Sequence, residues 1–232
     1  MGLAKTHCIK YNISMSLNST KSLSQIPAYQ DLKTDYPELK TLLFDMDGTL
    51  FNTEKYHAMA LKRLGQELKI KVSLSEHEVY ELMVGKADHL LFEIIKTWPG
   101  FPQDWPVETF ISNKNNLLLT ILKEISYKDY FSESLRLLLK ESKKQNILLG
   151  LVTSSEKIIT HELLKMSHTF DYFDFILTRD DSLKVKPDPW PYLYAMKQLN
   201  SASAETLIFE DSKVGIEAAT RSGAIVMKAN WY

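Results

Sequence analysis

Two aspartates separated by a single residue, Asp45 and Asp47, follow the apolar run Thr41-Leu42-Leu43-Phe44 and precede Gly48 and Thr49. A run of that length and composition reads as a buried strand. Open α/β sheets bind ligands beyond the carboxyl ends of their strands, so both carboxylates would share that edge, with the glycine turning the chain. A second candidate is Leu151-Val152-Thr153-Ser154-Ser155. A hydroxyl there, beside the free N–H groups of a helix start, can hold a phosphate oxygen, although Ser and Thr also serve as ordinary helix caps. A third is Lys184-Val185-Lys186-Pro187-Asp188-Pro189. A lysine flanked by prolines can neutralise a nucleophile and a phosphoryl group, or simply sit solvated in a loop. The fourth is Phe209-Glu210-Asp211-Ser212, followed by Val214-Gly215 and Ala218-Ala219. Adjacent carboxylates supply the hard oxygen ligands that Mg2+ prefers, and the small residues let the next helix pack close.

The elements that would position these groups alternate along the chain. Short apolar runs at 147–152, 173–177, 206–209 and 224–227 are separated by helical patterns at 132–144, 156–166, 191–199 and 213–222. Such alternation predicts βαβ units and a parallel sheet. It stops between Glu54 and about Ile125. There, apolar residues recur at helical spacing (Met59, Leu61, Leu64, Leu68; then Leu90, Leu91, Ile94, Ile95; then Leu117, Leu118, Ile121, Leu122), and Pro99, Gly100, Pro102 and Pro106 punctuate them. This predicts a helical insertion after the first strand, with the chain leaving the sheet near Phe51 and returning near Lys128.

The chain has 232 residues, 44% of them hydrophobic, which is enough for one sizeable core and a smaller second one. The net charge of -1 argues against a general nucleic-acid binder or a binder of acidic lipid. The single cysteine, Cys8, excludes an internal disulfide and fits a reducing compartment, so a cytoplasmic location is expected. No apolar run reaches the roughly 18 residues of a membrane span. The first thirty residues are rich in Lys, Ser, Thr and Asn, with no acidic residue before Asp31. They read as a loose N-terminal extension over 1–38. A transit peptide suits the composition except for its lack of arginine, and Met1-Gly2 with Thr6 also fits a myristoylation pattern.

The four candidates, in this order and all at strand ends, resemble the motifs of the haloacid dehalogenase-like superfamily over roughly 41–228. The insertion is similar to that family's alpha-helical cap. Phe51-Asn52-Thr53-Glu54 and the Glu-Asp-Ser form of the fourth motif resemble the branch of β-phosphoglucomutase and the sugar-phosphate phosphatases. The resemblance implies a doubly wound Rossmann-like α/β core of strand order 3-2-1-4-5, spanning 39–52 and 128–232, with a cap at 53–127. It implies that Asp45 attacks phosphorus to form an aspartyl-phosphate and that Asp47 serves as general acid and base. Thr153, the backbone at Ser154, and Lys186 would hold the phosphoryl oxygens. Mg2+ would be bound by Asp45, the Asp47 carbonyl, Glu210 and Asp211. Lys186-Pro187-Asp188-Pro189 matches the family's third motif directly, whereas a register starting at Lys184 puts Val185 where a proline belongs. Asp47 disfavours dehalogenase and phosphonoacetaldehyde hydrolase chemistry. The stretch Val84 to His89 lacks the cap arginine of the mutases. The expected function is therefore hydrolysis of a small phosphorylated metabolite, with sugar phosphates as candidates, by a monomer that uses neither nucleic acid nor a membrane span. A phosphomutase and a non-catalytic phosphate-binding protein are the alternatives. Within the cap, His57, Lys86 and His89 are candidates for substrate contact.

Overall fold

The computed structural model describes residues 20–70, 74–83, 86 and 88–232. Among these residues, six parallel strands form one sheet: β1 (Lys21–Leu23), β2 (Thr41–Phe44), β3 (Leu148–Val152), β4 (Phe175–Leu177), β5 (Thr206–Glu210) and β6 (Ile225–Ala229), in the spatial order β1-β6-β5-β2-β3-β4. From β2 onward this is the expected doubly wound order. Helices α6 (Glu133–Lys144), α7 (Lys157–Met166), α8 (Trp190–Gln198) and α9 (Lys213–Arg221) connect the strands.

Successive strand residues face opposite sides of a sheet. Leu42 and Phe44 accordingly join one buried cluster with Leu135, Leu138 and Leu139 of α6 and Leu163 and Leu164 of α7. Leu43 joins another with Tyr192, Ala195 and Met196 of α8 and Ala218 and Ala219 of α9. With both faces covered, β2 is buried along its whole length and can be apolar throughout. Register then sets the edge. Phe44 pairs with Leu151 on one side and with Phe209 on the other. The next residues, Asp45, Val152 and Glu210, therefore emerge level with one another.

The N-terminal expectation is corrected from residue 20 onward. Lys21–Leu23 pairs with β6, adding a sixth strand, and helix α1 (Tyr29–Asp35) buries Leu32 to 2% exposure. Composition averaged over the segment hid this. An unpaired edge of β6 offers a backbone ladder that needs no particular side chains, and Leu23, Ile26, Tyr29 and Leu32 suffice to fasten the segment to the core. The patterns read at Met1-Gly2, Thr6 and Cys8 lie outside the described residues.

Among the described residues, four helices occupy the insertion: α2 (Glu54–Glu67), α3 (Glu76–Met83), α4 (Asp88–Ile95) and α5 (Val107–Lys123). They share a separate apolar cluster that includes Leu61, Leu64, Leu91, Phe92, Phe101 and Phe110. The two crossings between insertion and sheet lie side by side, where the Asn52 N–H donates to the Tyr130 carbonyl at 2.8 Å.

Candidate active site

Asp45 leaves the end of β2 with its backbone N–H still tied to the Phe209 carbonyl at 3.0 Å, and it is 8% exposed. Lys186 reaches it from the loop before α8. Its ammonium donates to Asp45 Oδ1 at 2.6 Å, to Glu210 Oε1 at 2.7 Å and to the Val152 carbonyl at 3.0 Å. Those three bonds use all three of its protons. Burial pulls the pKa of this lysine down, but the Asp45 and Glu210 carboxylates outweigh burial and hold it well above the ordinary value. Lys184 lies elsewhere, exposed and paired with Asp188 at 3.1 Å.

Asp47 is held on both oxygens. Ser155 Oγ donates to Oδ2 at 2.5 Å, Thr53 Oγ1 donates to Oδ1 at 2.5 Å, and His57 Nε2 lies 3.3 Å from Oδ1. Burial favours the protonated carboxyl, but the His57, Ser155 and Thr53 bonds prevail and bring its pKa down to about 2. Behind His57, Lys114 Nζ lies 3.4 Å from Nδ1 and is paired with Asp88. Lys114 is only 1% exposed. Thr53, Lys114 and Ser155's bond to Asp47 were not singled out as site features. The signals were there. Thr53 and His57 are one helical turn apart, and Lys114 breaks the apolar face that Phe110, Ile111 and Leu118 define on α5.

The fourth motif supplies the acidic wall. Glu210 is fully buried, and its oxygens accept from Lys186, from Tyr192 Oη at 2.9 Å, and from the Ser212 N–H and Oγ at 3.1 and 3.0 Å. Ser212 also caps α9 by accepting from the Gly215 N–H at 3.0 Å. A Cβ at Gly215 would stand 1.7 Å from Glu210 Oε1, so the helix approaches this closely only with glycine there. Thr49 Oγ1 donates to Asp211 Oδ1 at 3.1 Å. Gly48 adopts a φ of 79°, and a Cβ on it would fall 2.3 Å from Asp211 Oδ2.

Asp45, Glu210 and Asp211 each offer an oxygen, and these atoms lie within 4.8 Å of one another. Burial first, then Glu210 and Glu54, push the Asp211 pKa up to about 7. For Asp45, burial raises the pKa, Lys186 opposes it, and Glu210 and Asp211 raise it further, leaving it well above the usual range. One lysine thus does not offset this concentration of carboxylates. An all-oxygen donor set carrying excess negative charge suits a hard divalent cation such as Mg2+. Glu210, however, already accepts four hydrogen bonds, so Asp45 and Asp211 are the more available donors.

Thr153 is 5% exposed and its Oγ1 accepts from the Ser155 N–H at 3.0 Å, which leaves its own proton for another acceptor. Ser154 is exposed beside it. Of the candidates in the insertion, His57 reaches the site, on Asp47. Lys86 is exposed and donates back to the Leu82 carbonyl at 2.7 Å, and His89 is exposed on α4. Val84, Gly85 and Ala87 lie outside the described residues.

The family model for haloacid dehalogenase-like hydrolases matches residues 42–229. The chain belongs to this family. Relatives agree with the branch that the motifs suggested. The chain is 34% identical over 191 residues to YhcW of Bacillus subtilis, which carries the name of a phosphatase, with 80% of each chain covered. It is 26% identical over 193 residues to the phosphorylated carbohydrates phosphatase of Thermotoga maritima, covering 80% of this chain and 82% of that one. It is 26% identical over 188 residues to the β-phosphoglucomutase of Bacillus subtilis, with 80% of each covered. A haloacid dehalogenase hydrolase of Entamoeba histolytica superposes with a TM-score of 0.70 at 29% identity, covering 81% and 82% of the two chains. Within this fold Asp45, Lys186, Glu210 and Asp211 meet at the carboxyl edge of the sheet, and Ser155 joins Asp47 to Thr153.

Proposed function

We propose that this hydrolase is a Mg2+-dependent phosphatase that cleaves a small phosphorylated metabolite, with sugar phosphates as the first class to try. The observation that carries the reading is the setting of Asp45. One of its oxygens is fixed by Lys186 at 2.6 Å, with Asp47 on the same turn and Asp211 alongside. In this reading the free oxygen of Asp45 attacks phosphorus, forming a P–O bond to the carboxylate while the bond to the leaving oxygen breaks. The leaving oxygen takes a proton held by the Asp47–His57 pair. Water then attacks the aspartyl-phosphate, Asp47 accepts its proton, and inorganic phosphate departs from a regenerated Asp45. Thr153, the Ser154 backbone and Lys186 hold the phosphoryl oxygens. Asp45, Asp211, the Asp47 carbonyl and, less directly, Glu210 would hold Mg2+, which offsets the repulsion between a carboxylate and a phosphate dianion. Residues 39–52 and 128–232 form the catalytic core in this account, and 53–127 the cap that shields it.

Hydrolysis ranks above phosphoryl return to a sugar because no arginine stands between Val84 and His89 to hold a second phosphate. The test is a panel of phosphomonoesters assayed with Mg2+, with Ca2+ and with chelator. The account expects phosphate release with Mg2+, little with Ca2+, whose longer bonds and higher coordination number misplace the groups, and none with chelator. Full activity in chelator, or efficient interconversion of hexose 1- and 6-phosphates in place of hydrolysis, would contradict it.

A further inference from the structure

The turn that carries Asp47 and Thr49 satisfies only part of its own backbone. Leu50 and Phe51 N–H groups both donate to the Met46 carbonyl, at 2.9 and 2.8 Å, and the Gly48 N–H donates to the Phe51 carbonyl at 2.8 Å. The carbonyls of Thr49 and Leu50 find their partners outside the turn. Two consecutive side chains just beyond β6 meet them. Trp231 Nε1 donates to the Thr49 carbonyl at 2.9 Å, and Tyr232 Oη donates to the Leu50 carbonyl at 3.1 Å. The indole is itself seated by edge-on packing against Phe209, the residue before Glu210, at 5.6 Å between centroids.

We propose that Trp231 and Tyr232 are positioning residues that brace this turn for metal binding. The path is short. Trp231 holds the Thr49 carbonyl, and Thr49 Oγ1 holds Asp211 Oδ1 at 3.1 Å. Asp211 is in turn the acid against which Gly48 is pressed, 2.3 Å from where a Cβ would be. A turn released at Thr49 and Leu50 is free to rotate its peptide planes, which loosens both Asp211 and the Asp47 carbonyl. Neither aromatic touches a reacting group, so both act through the turn. The inference rests on the Mg2+-phosphatase reading but concerns the metal site alone.

The test uses Trp231→Phe and Tyr232→Phe, which keep an aromatic ring at each position and remove the donors. Mg2+ affinity is read by calorimetry without substrate, and by Mg2+ half-saturation in turnover. Each substitution is expected to weaken Mg2+ binding by about threefold to tenfold, the factor one hydrogen bond supports, with substrate KM unchanged at saturating Mg2+. The double variant should be weaker than either single one. A bond that only stabilises the fold would lower the melting temperature and leave Mg2+ affinity at the wild-type value, and that result would overturn the proposal. If the wild type binds Mg2+ yet hydrolyses no phosphomonoester, the phosphatase reading fails while the calorimetric comparison still decides this one.

Discussion

Lys186 connects Asp45, the buried Glu210 and the Val152 carbonyl with one ammonium group. Its removal leaves Asp45 and Glu210 facing each other without a counter-charge. Lys186→Ala should therefore lower kcat by about 100- to 1000-fold, the range found when one preorganised electrostatic contact is lost. Lys184→Ala, which breaks only an exposed pair with Asp188, should leave kcat within about twofold, since such pairs contribute little. Steady-state assays of the two variants check both, and a reversed ranking would contradict the geometry. At this scale the sequence was informative where a motif fixes residue type and order, as it does for the two aspartates, the lysine and the acidic pair. It was less direct on partners brought from far along the chain, where Lys114 shows only as a charge on an apolar helix face. Nothing near Asp47 announces that Lys114, which is 67 positions on, will stand behind His57.

The elements convert those residues into a site through register and through the two crossings of the insertion. The ends of β2, β3 and β5 were legible because their apolar runs stop at the chemical residues. The β1 strand was not, because three residues are too few to carry a hydrophobic pattern. Its helix α1 is predicted to contribute measurably: Leu32→Ala should cost about 2–4 kcal/mol by chemical denaturation, as for other buried leucines. Near the crossings, Tyr130 is 1% exposed and packs against Phe51 and Tyr56. Burial, then the neighbouring Tyr56, raises its pKa from 10.0 to about 12. The folded chain then keeps this proton while the unfolded chain loses it. Stability is fully present below pH 10 and falls as pH rises from there towards 12. Melting temperature should drop across that window, and Tyr130→Phe should drop less. Parallel curves for the two proteins would contradict the assignment.

As a whole, the molecule places a helical insertion with an apolar cluster of its own at the carboxyl edge of a sheet covered on both faces, and α2 and α5 also pack into the sheet's core. That architecture was legible from the alternation of short apolar runs with helical patterns and from the long interruption after the first. What the sequence left open is the surface that the insertion presents to a substrate, since that depends on how four helices pack. His57, a candidate for substrate contact, meets Asp47. The central claim is covalent: phosphate passes through Asp45. The most direct measurement is mass spectrometry of enzyme quenched in acid during turnover, with the aspartyl-phosphate trapped by reduction, alongside phosphate release by Asp45→Asn. Modification is expected at Asp45 alone, with no detectable turnover in the variant, which should remain folded. Phosphate release by Asp45→Asn at a rate near that of the wild type, with no trapped adduct at Asp45, would contradict it.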